Sequence, residues 1–428
     1  MLKANVEFPI LRTEIAGYPV TELARQFGTP SYVYDAGKIL ERVDELRAFD
    51  SIRYAQKACS NIAILDLVRR HGVLVDTVSA GEIARAVAAG FPLTGNPPPV
   101  VYTADIFDRE SLEVVVRDGI HVNCGSPDMI DQLGERAPGR EITLRINPGF
   151  GHGHSQKTNT GGEQSKHGIW HEQLSDVLQR ADHHGLGIVG LHLHIGSGTD
   201  LDHLSQVCGA MERLARDVGR SLKSISAGGG LPVPYKSGEN YVDLDVYYRL
   251  WDASRKRLED AFGHRLHLEI EPGRYLVAES GYLITEIRAI KQMGGNTFYL
   301  VDAGFNNLAR PILYGAYHPM SIVPGKIDGP AATVDGRPMR DVVVGGPLCE
   351  SGDIFTQSEG GFVSTRSLPA AEVGELLVIE NAGAYGFAMS SNYNSKPLAA
   401  EVLVRDGVPH LVRQRQTSDD LIRGERIP

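Results

Sequence analysis

The strongest constraint on the fold is a repeated alternation of short strands and helices between residues 50 and about 275. Apolar or β-branched runs are followed by segments with apolar residues at helical spacing, and many of these segments end in glycine. The eight predicted strands are IRYAQK, LVDTVS, VVYTA, HVNCG, ITLRIN, IVGLHLHIG, SISAGGG and LHLEIEPG. Eight strands separated by helices over roughly 250 residues are typical of a TIM-type (β/α)8 barrel. A doubly wound open sheet is the alternative fold with the same alternation.

The helical pattern fades after about residue 280. The segments YLITEIRAI, TFYLVDAG, DVVVGGPLC, ELLVIENAG and AEVLVRDGVPHLVRQ instead resemble strands between turn residues. A single hydrophobic core stops growing at roughly 250–300 residues, so a chain of 428 residues favours two domains. We therefore predict an α/β barrel over residues 28–280. An all-β, sandwich or Greek-key-like domain follows over 281–428, and residues 1–27 are expected to contribute to it.

Composition excludes several classes of protein. The formal charge is −10 and no run is rich in Lys or Arg, which argues against nucleic-acid binding. No apolar segment approaches the ~20 residues needed to span a bilayer, and charges interrupt the N-terminal stretch MLKANVEFPILRTE. The four cysteines contain no C-x-x-C pair, so we expect no disulfide framework and a cytoplasmic location.

Polar residues and glycines gather where the predicted strands end. Active-site groups of such barrels lie at the carboxyl ends of the strands, so these residues are expected on one rim. They are Lys57 after the first strand, His194 and Ser197 after the sixth, Gly228, Gly229 and Gly230 after the seventh, and Glu271, Gly273 and Arg274 after the eighth. The long polar loop GFGHGHSQKTNTGGEQSKHG, residues 149–168, follows the fifth strand and is predicted to be functional.

Each of these residues also has an ordinary structural explanation. A lysine is usually a solvated surface group, but a desolvated lysine can form a Schiff base. Three glycines can form a tight turn, or they can let backbone N–H groups approach a phosphate. A buried Glu271 needs a cationic partner.

Together these residues suit pyridoxal 5′-phosphate. Lys57 would hold the aldehyde carbon, and the His194 ring would stack on the pyridine. Glu271 would keep the pyridine nitrogen protonated, which makes the ring an electron sink. The phosphate would be held by Ser197, Gly228, Gly229, Gly230 and Gly273.

Several motifs resemble a known family. YAQKACSN, GLHLHIGSG, AGGGLPVPY and EPGRYLVAESG resemble the fold-type III pyridoxal-phosphate decarboxylases, which pair a barrel of alanine racemase-like fold with a C-terminal β domain. VDAGFNNLARPILYGAYH, GPLCESGD and ENAGAYGFAMSSNYNSKP are similar to the meso-diaminopimelate decarboxylase family within them, and NPGFGHGHSQKTNTGGEQSKHGIW to its enterobacterial type. The resemblance implies decarboxylation of meso-2,6-diaminopimelate to L-lysine and CO₂, the final step of lysine biosynthesis.

The resemblance also implies roles for individual residues. Lys57 would carry the cofactor, His194 would stack on it, and Cys349 would be the proton donor. Cys349 and Glu350 would reach the active site of a neighbouring subunit, which implies a homodimer with shared sites. No metal site is expected. The substrate would be bound by Arg274, Arg310, Tyr314, Glu350 and Tyr385, with Arg274 and Tyr385 also near the cofactor.

Other activities remain alternatives. A related decarboxylase could act on another D-amino acid or diamine, such as D-lysine, D-ornithine or D-arginine. A metal-dependent amidohydrolase also uses H-x-H motifs, seen here at His192–His194 and His152–His154, but after its first strand, where this chain has Lys57. An alanine racemase places arginine, not glutamate, against the pyridine nitrogen. A non-catalytic homologue would be expected to lack Lys57 or Cys349.

Overall fold

The computed structural model describes residues 6–151, 161–194, 201–219, 222–329, 336–358 and 360–428. The chain forms two compact units. The barrel unit comprises Arg42–Pro232 and Val242–Tyr275, and the β unit comprises the described parts of Met1–Glu41, Val233–Tyr241 and Leu276–Pro428. The domain limits expected from the sequence, 28–280 and 281–428, stay a prediction.

The first elements of the chain belong to the β unit. They are β1 (Glu14–Ile15), β2 (Tyr18–Pro19), α1 (Val20–Phe27) and β3 (Ser31–Asp35). Strands β1 and β2 form a short antiparallel pair. Helix α1 buries Val20, Leu23 and Ala24 in the core of this unit, because these three residues share one helical face.

Eight parallel strands close into a barrel. Each strand pairs with the next, and the ring is completed by β12 pairing with β4 and by β10 pairing with β8. They are β4 (Ser51–Ala55), β5 (Leu74–Thr77), β6 (Val100–Ala104), β7 (His121–Cys124), β8 (Glu141–Asn147), β10 (Gly187–Leu193), β11 (Ser224–Ser226) and β12 (His267–Ile270). The two-residue strand β9 (Ile169–Trp170) adds to β8. The predicted barrel is confirmed, and closure of the ring excludes the open sheet.

Helices connect the barrel strands, and short polar side chains fix where several of them begin. The helices as far as residue 277 are α2 (Ala36–Asp44), α3 (Ile62–Arg70), α4 (Ala80–Ala88), α5 (Arg109–Asp118), α6 (Pro127–Arg136), α7 (Leu174–His183), α8 (Leu201–Val218), α9 (Leu244–Phe262) and α10 (Arg274–Val277). Asn61, Ser79 and Asp108 cap the N-termini of α3, α4 and α5. Gly119 ends α5 in the left-handed conformation, as its position in the sequence predicts.

The rest of the β unit is built around the long strand β13 (Gly281–Met293). It pairs antiparallel with β14, β18 and β3, while β3 also pairs in parallel with β19. The other strands are β14 (Asn296–Val301), β15 (Met320–Lys326), β16 (Met339–Gly345), β17 (Arg366–Pro369), β18 (Glu375–Ile379), β19 (Ala400–Arg405) and β20 (Val408–Arg413). Two short helices, α11 (Arg310–Tyr314) and α12 (Ser418–Ile422), interrupt them. The predicted β-rich C-terminal region is confirmed.

Within the part of the chain that the structure describes, no helix combines the length and the apolar character needed to cross a membrane.

Candidate active site

A cavity of about 670 Å³ opens where the barrel strands end. Its walls include three residues predicted from the sequence: Lys57, His194 and Glu271. These residues follow the ends of the first, sixth and eighth barrel strands. Closure of the barrel therefore brings together side chains that are far apart in the chain.

Lys57 lies just beyond the end of its strand rather than within it. Strand β4 ends at Ala55, and residues Gln56–Ala58 form a single 3₁₀ turn. Gln56 and Ala58 are buried, whereas the Lys57 side chain is exposed. The turn therefore anchors the backbone on both sides of Lys57 and leaves its amine accessible in the cavity.

Glu271 is buried and held in its ionised form. One carboxylate oxygen lies 2.6 Å from His192 Nε2, and the other accepts a hydrogen bond from the Ser226 hydroxyl at 2.8 Å. Burial would raise the pKa of Glu271, but the charge and hydrogen bond of His192, the Ser226 hydroxyl and the charge of Arg53 outweigh it and lower the pKa. His192 is thus the partner of the buried Glu271 carboxylate, and sequence analysis did not assign it to the site.

His194 packs tightly against Gly228 and Gly229, which follow the seventh barrel strand. The backbone N–H of Gly229 donates to His194 Nδ1 at 2.9 Å, so this ring nitrogen carries a lone pair. Burial, reinforced by the charges of Arg145 and Lys57, holds the pKa of His194 well below its usual value. A neutral imidazole ring is therefore presented in the cavity.

The glycines let neighbouring backbone segments approach more closely than a side chain would allow. A Cβ on Gly229 would lie 2.5 Å from the Glu271 carbonyl oxygen, and one on Gly228 would lie 2.3 Å from the Leu193 carbonyl oxygen. A Cβ on Gly273 would lie 3.2 Å from the Ala55 carbonyl oxygen, beside the Lys57 turn. These close approaches explain the glycines at positions 228, 229 and 273. Gly230 has a φ of +95°, a conformation that glycine adopts readily. Ser197 lies outside the described residues.

The cavity fits pyridoxal 5′-phosphate on the chemistry of its walls. The Lys57 amine suits the cofactor aldehyde, and the ionised Glu271 carboxylate suits its ring nitrogen. The neutral His194 imidazole suits the face of its ring.

Two buried ionisable residues of the cavity were missed by sequence analysis. Asp76, on β5, is 5% exposed, and its Oδ1 has no hydrogen-bond partner among the described residues. Arg145, on β8, is 8% exposed. Both lie inside strands that were assigned from their apolar neighbours. The signal that could have identified them is a charged residue within an otherwise buried strand.

Asp76 is expected to make the stability of the cofactor-free protein depend on pH. Burial, reinforced by the charge of Glu271, raises its pKa from 3.8 to about 8. The native state therefore keeps a proton that the unfolded chain releases, and stability falls as pH rises between these two values. Asp76→Asn removes this titration. We expect it to raise the free energy of unfolding by on the order of 1–3 kcal/mol at pH 9 and by little at pH 4.

Urea unfolding of cofactor-free protein at pH 4, 7 and 9 measures this difference. The exposed residue Asp328 provides the control, because Asp328→Asn should have the same small effect at all three pH values. A stabilisation by Asp76→Asn that does not change with pH would contradict the protonated state of Asp76.

The long loop after β8 is tied to the barrel at both ends. The Asn147 side chain bonds to the backbone of Gly149 and Gly162 and to the carbonyl of His167. Asp105 accepts from the Gly168 N–H at 2.8 Å and lies 2.7 Å from His167 Nδ1. These bonds hold His167 and its neighbour at the cavity wall. Residues 152–160, which include His152 and His154, lie outside the described residues.

The other predicted site residues occupy separate places in the chain. Arg274 begins α10 and is partly buried. In the β unit, Arg310 begins α11 and is 7% exposed, while Tyr314 at the end of that helix is 41% exposed. Cys349 and Glu350 are exposed on the turn after β16, where Asn394 accepts the Cys349 N–H at 2.8 Å. Tyr385 has a φ of +57°, an uncommon conformation for a tyrosine.

The H-x-H motif can be compared with a metal site. His192, His194 and Glu271 offer ligand atoms within 4.8 Å of one another. However, Glu271 already binds His192 and Ser226, and His194 Nδ1 already accepts from Gly229. These hydrogen bonds hold a buried carboxylate and a neutral imidazole in place. The absence of a metal from the site stays a prediction.

The fold and the cavity together define a class of enzyme. The family described as "Pyridoxal-dependent decarboxylase, pyridoxal binding domain" matches residues 37–278, the region that contains Lys57, His194 and Glu271. The chain is therefore a pyridoxal-phosphate-dependent carboxy-lyase built on a (β/α)8 barrel.

Individual relatives narrow this class. "Diaminopimelate decarboxylase" of Streptomyces coelicolor is 53% identical over 425 residues, covering 99% of this chain and 96% of the relative. The protein of the same name from Escherichia coli K12 is 53% identical over 420 residues, covering 97% and 98%. A solved structure, "Crystal structure of diaminopimelate decarboxylase", is 52% identical with a TM-score of 0.93, covering 97% of this chain and 98% of that one. The chain belongs to the diaminopimelate decarboxylase family.

Proposed function

We propose that this enzyme decarboxylates the D-centre of meso-2,6-diaminopimelate and releases CO₂ and L-lysine, the final step of lysine biosynthesis. The observation that carries the proposal is the buried, ionised Glu271, held by His192 and Ser226 in the same cavity as Lys57. An ionised carboxylate beside the cofactor suits chemistry that must accept a pair of electrons. It distinguishes this site from one that pairs arginine with the pyridine nitrogen, as a racemase does.

The bound cofactor supplies a protonated pyridine ring that withdraws the electrons released when the carboxylate leaves as CO₂. Lys57 would hold the cofactor covalently through its side-chain amine, and would release it when the substrate binds. Glu271 keeps the ring nitrogen protonated, because a charge-assisted hydrogen bond contributes about 1.5–3 kcal/mol. His194 would pack its neutral ring against the cofactor. Ser197, Gly228, Gly229, Gly230 and Gly273 are assigned to the phosphate.

Cys349 donates the proton that replaces the departing carboxylate at the reacting carbon. An ordinary thiol has a pKa of roughly 8.5, which makes it a usable acid near neutral pH. The exposure of Cys349 on its turn supports this assignment, because a proton donor must be reachable by substrate. By contrast, Cys59, Cys124 and Cys208 are buried, and burial raises the pKa of Cys124 and Cys208 to about 12.

The substrate carries an amino-acid centre at each end, so the unreacted end must also be recognised. Arg310 and Arg274 are assigned to its carboxylates, since a guanidinium can bind a carboxylate through two parallel hydrogen bonds. Glu350 is assigned to the distal ammonium, with Tyr314 and Tyr385 beside the substrate. A decarboxylase of simple diamines has no second carboxylate for a dedicated arginine to bind.

We further propose that the enzyme works as a homodimer in the cytoplasm. Cys349 and Glu350 are exposed in the single chain, which suits residues that complete the site of a partner subunit. All four cysteines are free thiols, which suits a reducing compartment.

The function is tested by measuring CO₂ release from purified enzyme supplied with pyridoxal phosphate. We expect release from meso-diaminopimelate, with L-lysine formed in equal amount, and little release from D-lysine, D-ornithine or D-arginine. Release from one of these three alone would keep the cofactor and the reaction but overturn the assignment of Arg310. Failure of the protein to bind pyridoxal phosphate covalently would overturn the site itself.

A further inference from the structure

His318 is a fully buried histidine between α11 and β15, eight residues after Arg310. Both of its ring nitrogens have partners. Nδ1 lies 3.0 Å from the carbonyl oxygen of Glu380, and Nε2 lies 2.9 Å from Nη1 of Arg310. The ring therefore links Arg310 to the backbone at the end of β18.

The chemistry of these partners fixes the state of the imidazole. A carbonyl oxygen only accepts, so Nδ1 must carry the hydrogen that it donates to Glu380. A guanidinium only donates, so Nε2 must carry a lone pair that accepts from Arg310. His318 is thus a neutral imidazole, with both ring nitrogens in use.

Its backbone surroundings fix the ring in place. The Glu380 N–H donates to the Pro319 carbonyl at 2.9 Å, which continues the pairing of β15 with β18 by one step. The Glu380 carboxylate binds Arg12 and the Ser321 hydroxyl. The acceptor for His318 is therefore part of the sheet rather than of a loose loop.

Tyr235 restrains the same guanidinium from a second direction. The centre of its ring lies 4.9 Å from the Arg310 guanidinium carbon, a cation–π contact. The ring also meets His318 edge to face, at 5.4 Å and 82°. Arg310, His318 and Tyr235 form a cluster, the Arg310 clamp, that limits how the guanidinium can turn.

We propose that His318 is the positioning residue for Arg310: it orients the guanidinium for the distal carboxylate of the substrate. A carboxylate in place of His318 would orient Arg310 and also offset its positive charge, whereas the neutral imidazole orients the guanidinium without adding a negative charge. This role rests on the proposed function, because it assigns the retained L-centre of meso-diaminopimelate to Arg310.

Two substitutions separate orientation from general packing. The amide oxygen of His318→Gln can occupy the place of Nε2 and accept from Arg310. The amide of His318→Asn reaches only the place of Nδ1, where it can donate to Glu380 but cannot accept from Arg310. We expect His318→Asn to raise KM for meso-diaminopimelate about tenfold and to change kcat less than about threefold, since a hydrogen bond to a charged group is lost. His318→Gln should restore KM to within about threefold of the natural enzyme.

Equilibrium binding of L-lysine to the cofactor-loaded enzyme is the second readout. L-lysine keeps the distal amino-acid centre, so His318→Asn should weaken its binding by the same factor as it raises KM. If the natural enzyme fails to decarboxylate meso-diaminopimelate, the proposed function is wrong, but a Kd for L-lysine that separates the two variants would still support the role of His318.

Equal behaviour of the Asn and Gln variants would overturn the proposal, as would a fall in kcat at unchanged KM. Thermal melting and the visible absorbance of bound cofactor establish that each variant is folded. Should His318→Asn not fold, Tyr235→Leu removes the other restraint on Arg310 and is expected to raise KM in the same direction. An unchanged KM in that variant would count against the clamp.

Discussion

A Lys57→Ala variant is expected to lose about four orders of magnitude in kcat for decarboxylation. The reason is that the turn after β4 places this amine in the cavity that also contains Glu271, where it can bond to the cofactor aldehyde. Borohydride reduction of the natural enzyme should fix the cofactor on the peptide containing Lys57, and reduction of the variant should leave that peptide unmodified. Mass spectrometry of the digested protein measures this directly.

Lys166 provides the matched control, because it is a second lysine at the wall of the same cavity. Reduced Lys166→Ala should still carry the cofactor on Lys57. Attachment at Lys166 in the natural enzyme would contradict the assignment.

The Lys57→Ala variant also tests whether the two subunits of a dimer share their active sites. Lys57→Ala and Cys349→Ala should each be nearly inactive alone. If Cys349 serves the site of the partner subunit, mixed dimers contain one intact site, and random exchange of subunits should restore about a quarter of the natural activity. Sites confined to single subunits would give no recovery.

The second large effect is expected at Arg310. Arg310→Met should lower kcat/KM for meso-diaminopimelate by about 10²–10³-fold, mainly through KM, because a buried partner of a carboxylate is lost. The residue is 7% exposed, so water cannot easily replace the guanidinium. Steady-state kinetics with meso-diaminopimelate measures the loss.

Arg310→Lys separates charge from geometry. A lysine keeps the positive charge but lacks the planar fork that can bond to His318 and to a carboxylate at the same time. We expect it to recover only part of the loss, about tenfold. If Arg310→Lys were indistinguishable from the natural enzyme, bidentate recognition at this position would be wrong.

The barrel could be predicted from sequence because its signal is repeated. Each of the eight predicted strands lies where the structure places one, since every strand–helix step is local and ends at recognisable residues such as Asp108 and Gly119. The β unit was predicted less completely. Strand β3, with the sequence SYVYD, falls between two helices, and β15 contains a proline and a glycine, so neither was assigned.

The site was predictable to the extent that its residues lie at strand ends. Asp76 and Arg145 were missed because they lie within buried strands, where orientation depends on how the strands are registered in the closed barrel. The partnership of His192 with Glu271 was missed for the same reason, since the two residues are 79 positions apart. The role of the Gly229 N–H also needed the structure, because the sequence could only associate it with phosphate.

The placement of β3 affects how the protein is made. This strand is synthesised before the barrel, but both of its neighbours in the sheet, β13 and β19, are synthesised after the barrel. Apart from the β12–β4 pair that closes the ring, the barrel pairs strands that follow one another in the chain, so it can fold while the β unit is still being synthesised. The β unit must wait until β19 has been synthesised, and until then β3 keeps an unpaired edge that other nascent chains could bind. Premature termination near residue 399 would therefore leave a folded barrel joined to an aggregation-prone β unit.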